Sequence, residues 1–258
     1  MKTVLTVIAW FFMMSSCITA EKGFVSSSLN MQWGFEQLLS DSHGRSLIVI
    51  GVSNRRMSRR GEIDAAKNDA ARKVAMFHRM WGTVESAQRA GVPFFDFNFD
   101  SKINFEPVDY EQFVERLEFD PDRDVRIMES GTLVRFSYPI EVMPVRVAST
   151  ADRDGRPDWT RGRNLPSVDG YITGVGFSLN QRWFSDTVMN SFMGAAARIL
   201  EQAGVTVMYE IDDSGQGSAI THIQTKSEGF LDGFRVLAIW VEPETGNVFT
   251  LGIAKRVQ

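Results

Sequence analysis

Four arginines within six residues are the strongest chemical signal in the first half of the sequence. Arg55, Arg56, Arg59 and Arg60 lie in a polar connection between an apolar stretch and a helical pattern. Clustered guanidinium groups can bind lipid head groups or an acidic partner, and each charge near an anionic surface contributes about 1 kcal/mol. The alternative is a solvated loop whose arginines pair with nearby acids. The sequence favours this second interpretation, and the acids concerned are Glu62, Asp64 and Asp69.

Acidic loops give only weak candidates for a metal site. Asp152, Asp154 and Asp158 cluster oxygen ligands of the kind that calcium prefers, but the arginines between them oppose a cation. The segment Asp96 to Asp100 begins like a calcium loop, yet it lacks the later glycine and bidentate acid. The histidines, which are His43, His78 and His222, form no pair at the spacing of one helical turn. We therefore predict no metal centre.

The sequence also lacks the usual marks of an enzyme. Gly174-Val175-Gly176 separates a predicted strand from a predicted helix, as a dinucleotide loop does, but the third glycine and the parallel βαβ series are missing. These glycines fit a bulge or the close approach of a helix better. No Gly-x-Ser-x-Gly elbow occurs, and no set of acid, base and nucleophile can be assembled by spacing. We expect a protein that is not an enzyme and carries no cofactor.

The single cysteine, Cys17, follows an apolar run that begins near Val4 and succeeds Lys2. A positive start, an apolar stretch and small residues together are typical of a secretory signal, which predicts export and a signal peptide over residues 1–20. Two interpretations of Cys17 remain open. It is either the acylated first residue of a lipoprotein or a residue discarded by cleavage after Ala20.

Composition narrows the class further. The chain has 258 residues, of which 43% are apolar, so it can fill one large core or two small ones. Its formal charge of −4 argues against a partner made of nucleic acid, which would favour a basic protein. With one cysteine, the chain cannot form an internal disulfide.

The elements that carry these residues follow an order that occurs twice. A short strand, a polar connection, an alanine-rich helix and several strands run from Leu47 to Tyr138 and again from Tyr171 to Arg256. The pattern predicts an α+β protein of two similar domains, each an antiparallel sheet packed by an alanine-rich helix. The predicted parts are a tether with a short helix at 21–46, a first domain at 47–148, a polar linker at 149–168 and a second domain at 169–258.

Local patterns predict individual elements within these domains. Apolar spacing predicts the first helix from Ile63 to Trp81, and the segment Phe94 to Phe99 alternates as a strand does. Turn residues predict a hairpin at Ser130-Gly131 and a turn between two strands at Gly229 to Gly233.

The second half contains Pro157-Asp158-Trp159, the stretch from Gly170 to Gly176, an alanine-rich helix with an Ala-Arg pair, and Trp240-Val241-Glu242 before a closing strand. In these motifs the chain resembles the Lpp-twenty type of bacterial envelope lipoprotein over residues 157–256, with a weaker second copy over 47–138. The resemblance implies an exported, often lipid-anchored protein of the periplasm or outer membrane. It also implies other envelope proteins as partners, flagellum-associated ones among them, and no catalytic site.

Three functions are open at this point. The first is a non-catalytic interaction or scaffold module of the cell envelope, held at the membrane if Cys17 carries a lipid. The second is a periplasmic carrier or sensor for a small apolar ligand, for which the 19 phenylalanines offer a lining. The third, an envelope hydrolase, is the least supported because its catalytic residues cannot be named.

Overall fold

A computed structural model describes residues 45–91, 100–105, 109–145, 147, 151–152, 155–204, 206–212 and 220–255. The predicted signal peptide, Cys17, most of the tether, His43 and Asp154 lie outside these ranges. The alternating segment Phe94 to Phe99 also lies outside them. Asp100, the residue after it, begins a strand.

Within these ranges, strands alternate with a few helices. The strands are β1 (Leu47–Asn54), β2 (Met80–Gly91), β3 (Asp100–Phe105), β4 (Val125–Ile127), β5 (Gly131–Tyr138), β6 (Tyr171–Ser178), β7 (Thr206–Asp212), β8 (Ile220–Val241) and β9 (Val248–Lys255). The helices are α1 (Arg59–His78), α2 (Glu111–Val114) and α3 (Phe184–Ala203), with a 3-10 helix at Asp158–Arg161.

The predicted α+β class is confirmed, and the strands form two antiparallel sheets. One sheet has the order β1-β5-β4. The other has the order β3-β2-β8-β9-β6, with β7 also paired to β8. The second sheet contains strands from both halves of the chain, because β2 pairs with β8 over twelve residues, from Met80 opposite Leu231 to Gly91 opposite Ile220.

The long strand β8 differs from the sequence prediction. Gly229 to Gly233 was expected to be a turn between two strands, but this expectation is wrong because the chain continues through it as one strand. Two register shifts interrupt the pairing of β8 with β9, the first between Asp232 and Arg235. Gly233 lies in this irregularity with a φ of 65°, a conformation that glycine adopts without a Cβ clash. Gly233 therefore marks a bulge, whereas Gly229 pairs regularly with Gly82 of β2.

Helix α1 begins earlier and ends earlier than the predicted segment from Ile63 to Trp81. Ser58 is its N-cap, and the Ser58 hydroxyl accepts a hydrogen bond from the Gly61 N–H. Trp81 continues the helical spacing of apolar residues, but it lies in β2 opposite Phe230. The prediction for Trp81 was wrong because apolar spacing alone does not show where pairing with a distant strand begins.

Alanines make both long helices thin, so that they lie close to the sheets. In α1 the side chains of Ala66, Ala70 and Ala71 are fully buried, and in α3 those of Ala195 and Ala196 are too. Glycines on the facing strands permit this approach. A Cβ atom on Gly51 would lie 2.0 Å from the Ala66 carbonyl oxygen, and one on Gly176 would lie 1.9 Å from the Ser191 carbonyl oxygen. The predicted close approach of a helix to Gly176 is confirmed.

The apolar core joins the two halves. Helix α1 packs with Phe136 and Tyr138 of β5 in one cluster. Helix α3 packs with Phe234 of β8 and also with Met80 and Val84 of β2, which belong to the first half. A third cluster lies between the sheets and brings β1 and β5 residues against Val188 and Val248.

The segment that composition marks as a polar linker packs against the second sheet. Trp159, in the 3-10 helix, is only 2% exposed and lies in a cluster with Trp240, Phe249 and Leu251. Arg156 lies over the Phe249 ring, with its guanidinium carbon 4.8 Å from the ring centre. This part of the chain thus covers the face of the sheet opposite α3.

The glycine approach gives a test of the fold. We expect Gly176→Ala to lower the free energy of unfolding by at least the roughly 1–3 kcal/mol typical of core overpacking, because the added methyl would meet helix backbone. Thermal unfolding followed by circular dichroism measures the change.

Gly204→Ala is the matched control, since a Cβ there meets nothing within 4 Å and Gly204 has an extended φ of −166°. It should leave the midpoint unchanged or raise it slightly. Equal losses in both variants would contradict the packing described.

Candidate functional site

A polar cleft lies where the end of β1, helix α1 and the first turn of α3 meet. Its volume is about 280 Å³. It contains charges of both signs and residues from both halves of the chain. The polar side chains that face it include Arg56, Asn68, Asp69, Arg72, Tyr110 and Asp186.

Helix α1 supplies one wall. Arg72 lies about one helical turn after the adjacent residues Asn68 and Asp69, so all three side chains reach the cleft. The Arg72 guanidinium lies over the Tyr110 ring at 4.8 Å and donates a long hydrogen bond of 3.4 Å to the Tyr110 hydroxyl. This contact holds Arg72 beside the segment that leads into α2.

Asp69 has a structural task in this wall. Its Oδ2 atom accepts hydrogen bonds from the Val52 N–H at 2.8 Å and from Lys73 Nζ at 2.7 Å. The Lys73 side chain is 6% exposed, and its ammonium also donates to the Ile50 carbonyl oxygen at 2.8 Å. The carboxylate therefore balances a buried cation and ties α1 to β1, which leaves it poorly placed to act as a general base.

Helix α3 supplies the opposite wall, and a residue of the first half caps it. The Ser185 N–H, in the first turn of α3, donates to Asn54 Oδ1 at 3.2 Å. Asp186 follows at the mouth of the cleft, and its Oδ1 lies 3.1 Å from the Ser185 hydroxyl. The hydrogen bond between Ser185 and Asn54 fixes the start of α3 to the end of β1.

Two of the four arginines in the predicted cluster, Arg55 and Arg59, contact a buried carboxylate. Glu62 is 1% exposed and accepts short hydrogen bonds from Arg59 and from the Thr132 hydroxyl of β5. Arg55 lies 3.6 Å from its other oxygen, which also accepts a hydrogen bond from the Arg56 N–H at 3.2 Å. Burial would raise the pKa of Glu62, but these hydrogen bonds and the two guanidinium charges outweigh it, so the pKa is lowered.

The arginines thus have different places. Arg55 and Arg59 bind Glu62, as the interpretation of a paired loop expects, whereas Asp69 binds Lys73 instead. Arg60 and Arg56 are exposed, and Arg56 lines the cleft. No sequence pattern indicates that Asn54 and Asp186 lie together at this cleft, because contact between residues 132 positions apart depends on the tertiary fold. Arg72 follows Asn68 and Asp69 by about one helical turn, and this spacing was a usable signal.

The weak calcium candidate is held by protein groups. Asp152 accepts hydrogen bonds from the Arg156 N–H at 2.9 Å and from Arg161 at 2.6 Å. Asp158 accepts one from Asn164 at 3.1 Å. Across the ranges that the structure describes, no three histidine, cysteine or acidic side chains converge in a way that could hold a metal ion.

His78 has a structural environment at the end of α1. Its ring stacks on Phe113 with centroids 5.0 Å apart and meets the Tyr138 ring edge-on. Partial burial and the nearby Arg116 charge lower the pKa of His78, against an opposing effect of Asp232. His78 is exposed, and these contacts fit a surface histidine whose ring packs against two aromatic rings.

An apolar crevice lies between β1, α1 and α3. It has a volume of about 20 Å³ and is lined by Leu47, Val49, Phe192 and Ile239 among others. Sites for small organic ligands are usually about 300–1,000 Å³, so the crevice would have to open considerably to admit one.

The fold and the cleft define an α+β protein built on two antiparallel sheets. No protein-family model matches the chain, and neither a curated protein nor a solved structure does. None of the helices in the described ranges is both long enough and apolar enough to cross a membrane.

Glu62 gives a test of the site. Because its pKa lies below the ordinary 4.5 in the folded chain, the ionised carboxylate stabilises the fold above that pH, and this stabilisation is lost as the pH falls through the folded pKa. We expect Glu62→Gln to cost about 1.5–3 kcal/mol at pH 7, the usual range for a hydrogen bond to a charged group. The difference from the unmodified chain should shrink in acid.

Urea unfolding between pH 3 and pH 7 measures this change. Glu141→Gln, at an exposed position, is the control and should have little effect at any pH in the series. A Glu62→Gln cost that stays constant down to pH 3 would refute the assignment of the lowered pKa.

Proposed function

We propose that the protein is an exported, non-catalytic interaction or scaffold module of the bacterial cell envelope. The observation that carries this proposal is the second sheet, in which two of the edge strands, β3 and β7, are suited to binding. Among the described strands, β3 pairs only with β2, and β7 pairs only with β8. Each therefore presents a row of backbone donors and acceptors to which an extended segment of a partner can add.

The contents of the cleft fit a structural role better than catalysis. Asp69 neutralises Lys73, and Glu62 neutralises part of the arginine cluster. Asp186 is the remaining carboxylate that faces the cleft, and hydrolysis by paired carboxylates requires two whose environments separate their pKa values. An envelope hydrolase is accordingly the weakest of the three hypotheses.

The carrier hypothesis also receives less support than the scaffold. The apolar crevice has room for about one water molecule, and the buried Lys73 ammonium beside it is already bound to Asp69 and to the Ile50 carbonyl oxygen. An apolar ligand would have to displace part of the core.

The location in the envelope rests on the sequence. The signal pattern before Cys17 and the resemblance to Lpp-twenty lipoproteins support export, with a lipid on Cys17 as the proposed anchor. Arg56 and Arg60, which Glu62 does not bind through their side chains, are candidates for contact with acidic head groups.

Export and anchoring are tested by the intact mass of the mature protein together with fractionation of the cells. We expect the chain in the membrane fraction, with the mass of a diacylated or triacylated Cys17. A mature chain that begins at Glu21 would eliminate the anchor, and a full-length chain in the cytoplasm would overturn the proposal.

The scaffold role is tested by photo-crosslinking in intact cells from the two edge strands. A photoreactive residue placed at Ile103 in β3 or at Met208 in β7 should give one defined crosslinked product with an envelope protein. The control position is Leu179, which is 66% exposed in the loop after β6. The same products from Leu179, or none from either edge, would contradict the role of the sheet edges.

A further inference from the structure

The two hairpins of the second sheet meet in a head-to-tail manner. The first half contributes the hairpin β2–β3, and the second half contributes β7 with the first part of β8. Their order across the sheet is β3-β2-β8-β7, all antiparallel. The first strand of one hairpin therefore pairs with the second strand of the other.

The hairpins occupy corresponding places in the two halves. Each follows a strand and a 20-residue helix, and in each half a strand glycine contacts the helix backbone fifteen residues later, Gly51 at Ala66 and Gly176 at Ser191. After each hairpin the chain returns with β5 or β9, which pairs with the strand that preceded the helix. By position, β2 corresponds to β7, and β3 corresponds to the first part of β8.

This correspondence makes the two outer edges complementary. The outer edge of β7 corresponds to the edge with which β2 binds β8. The outer edge of β3 corresponds to the edge with which β8 binds β2. The contact that would join β7 to a β3 strand is thus the one that the chain already makes internally, and its antiparallel direction continues the alternation of the sheet.

We propose that a second copy of this chain adds its β3 to the β7 edge, so that copies assemble head to tail through one continuous sheet. The proposal rests on the scaffold function and names its partner. A contact of this kind joins two different surfaces, so it repeats until the copies close into a ring or continue as a filament. Pairing of like edges, β7 with β7 or β3 with β3, would stop at a dimer.

The internal contact also gives the register. Within the chain, Ala87 lies opposite Gln224. The last pair of the first hairpin, Ala87 with Asp100, corresponds to the last pair of the second, Asp212 with Ile220. By the same correspondence Gln224 matches Asn104, so the proposed contact places Asp212 opposite the second copy's Asn104. The proposal therefore predicts that these two residues lie opposite each other in neighbouring copies.

Disulfide trapping in the full chain tests the pairing of Asp212 with the second copy's Asn104. In a Cys17→Ser background, Asn104→Cys and Asp212→Cys are made separately and together. Under mild oxidation, we expect the mixture of the two single variants to give covalent dimer at a level several-fold above either variant alone. The double variant should give a ladder of species at successive multiples of the chain mass.

The control is Ala87→Cys with Gln224→Cys, which should form a disulfide within one chain and no ladder. It shows that the variants fold with the stated register. Absence of dimer from the mixture while this control forms its disulfide would overturn the proposal, as would equal or greater dimerisation of either single variant with itself. Light scattering of the chain without added cysteines should show species larger than a monomer.

The two proposals fail separately. A ladder from a protein that stays in the cytoplasm would refute the envelope function and leave the assembly standing. An envelope protein that crosslinks only to a different protein, with no ladder, would refute the assembly and leave the scaffold function standing.

Discussion

The antiparallel ladder between β2 and β8 is the interaction on which the rest of the molecule depends. Twelve residue pairs join strands that lie about 140 positions apart in sequence, and they place both halves in one sheet. Further along, β8 pairs with β9, which in turn pairs with β6. Helix α3 then covers a surface to which both β2 and β8 contribute. Without the ladder, Met80 and Val84 would lose the core in which they are buried.

The buried charges of α1 complement this ladder by fixing the position of a helix that has few large side chains. Near its start, Glu62 reaches Thr132 of β5, and further along, Lys73 reaches the carbonyl oxygen of Ile50 in β1. Apolar contact between alanines and a sheet is weakly directional, whereas hydrogen bonds have defined geometry. The hydrogen bonds of Glu62 and Lys73 fix both the position of α1 along its axis and its rotation about that axis. They therefore also set where Asn68 and Arg72 face the cleft.

The sequence was informative where local pattern decides the structure. The strand before each helix, the helices, and the hairpin at Ser130-Gly131 all follow from apolar spacing and turn residues, and their observed bounds differ by a few positions. It failed at Trp81 and at Gly229 to Gly233, where pairing with a distant strand overrides the local signal. The burial of Trp159 could not be predicted, because the residues around it in sequence are polar. That the halves are copies of one module remains a prediction, and the structure adds that they share a sheet.

The cleft was accessible to sequence reasoning only in part. The arginine cluster and its pairing with Glu62 could be anticipated because the residues are close in the chain. The approach of Ser185 to Asn54 could not, because it follows from how the third core cluster seats α3 against β1. Residues from one helix face were visible as a pattern, and their partners from the other half were not.

The order of synthesis gives the shared sheet a further consequence. The β2–β3 hairpin is made about 130 residues before the first part of β8, which corresponds to roughly 6–26 s at usual elongation rates. During this interval, β2 lacks the strand that will complete its hydrogen bonds. Two chains that fold side by side can then exchange strands, with β8 of one chain adding to β2 of the other. Such domain swapping would use the native register, so a misassembled pair would be as well packed as the correct monomer.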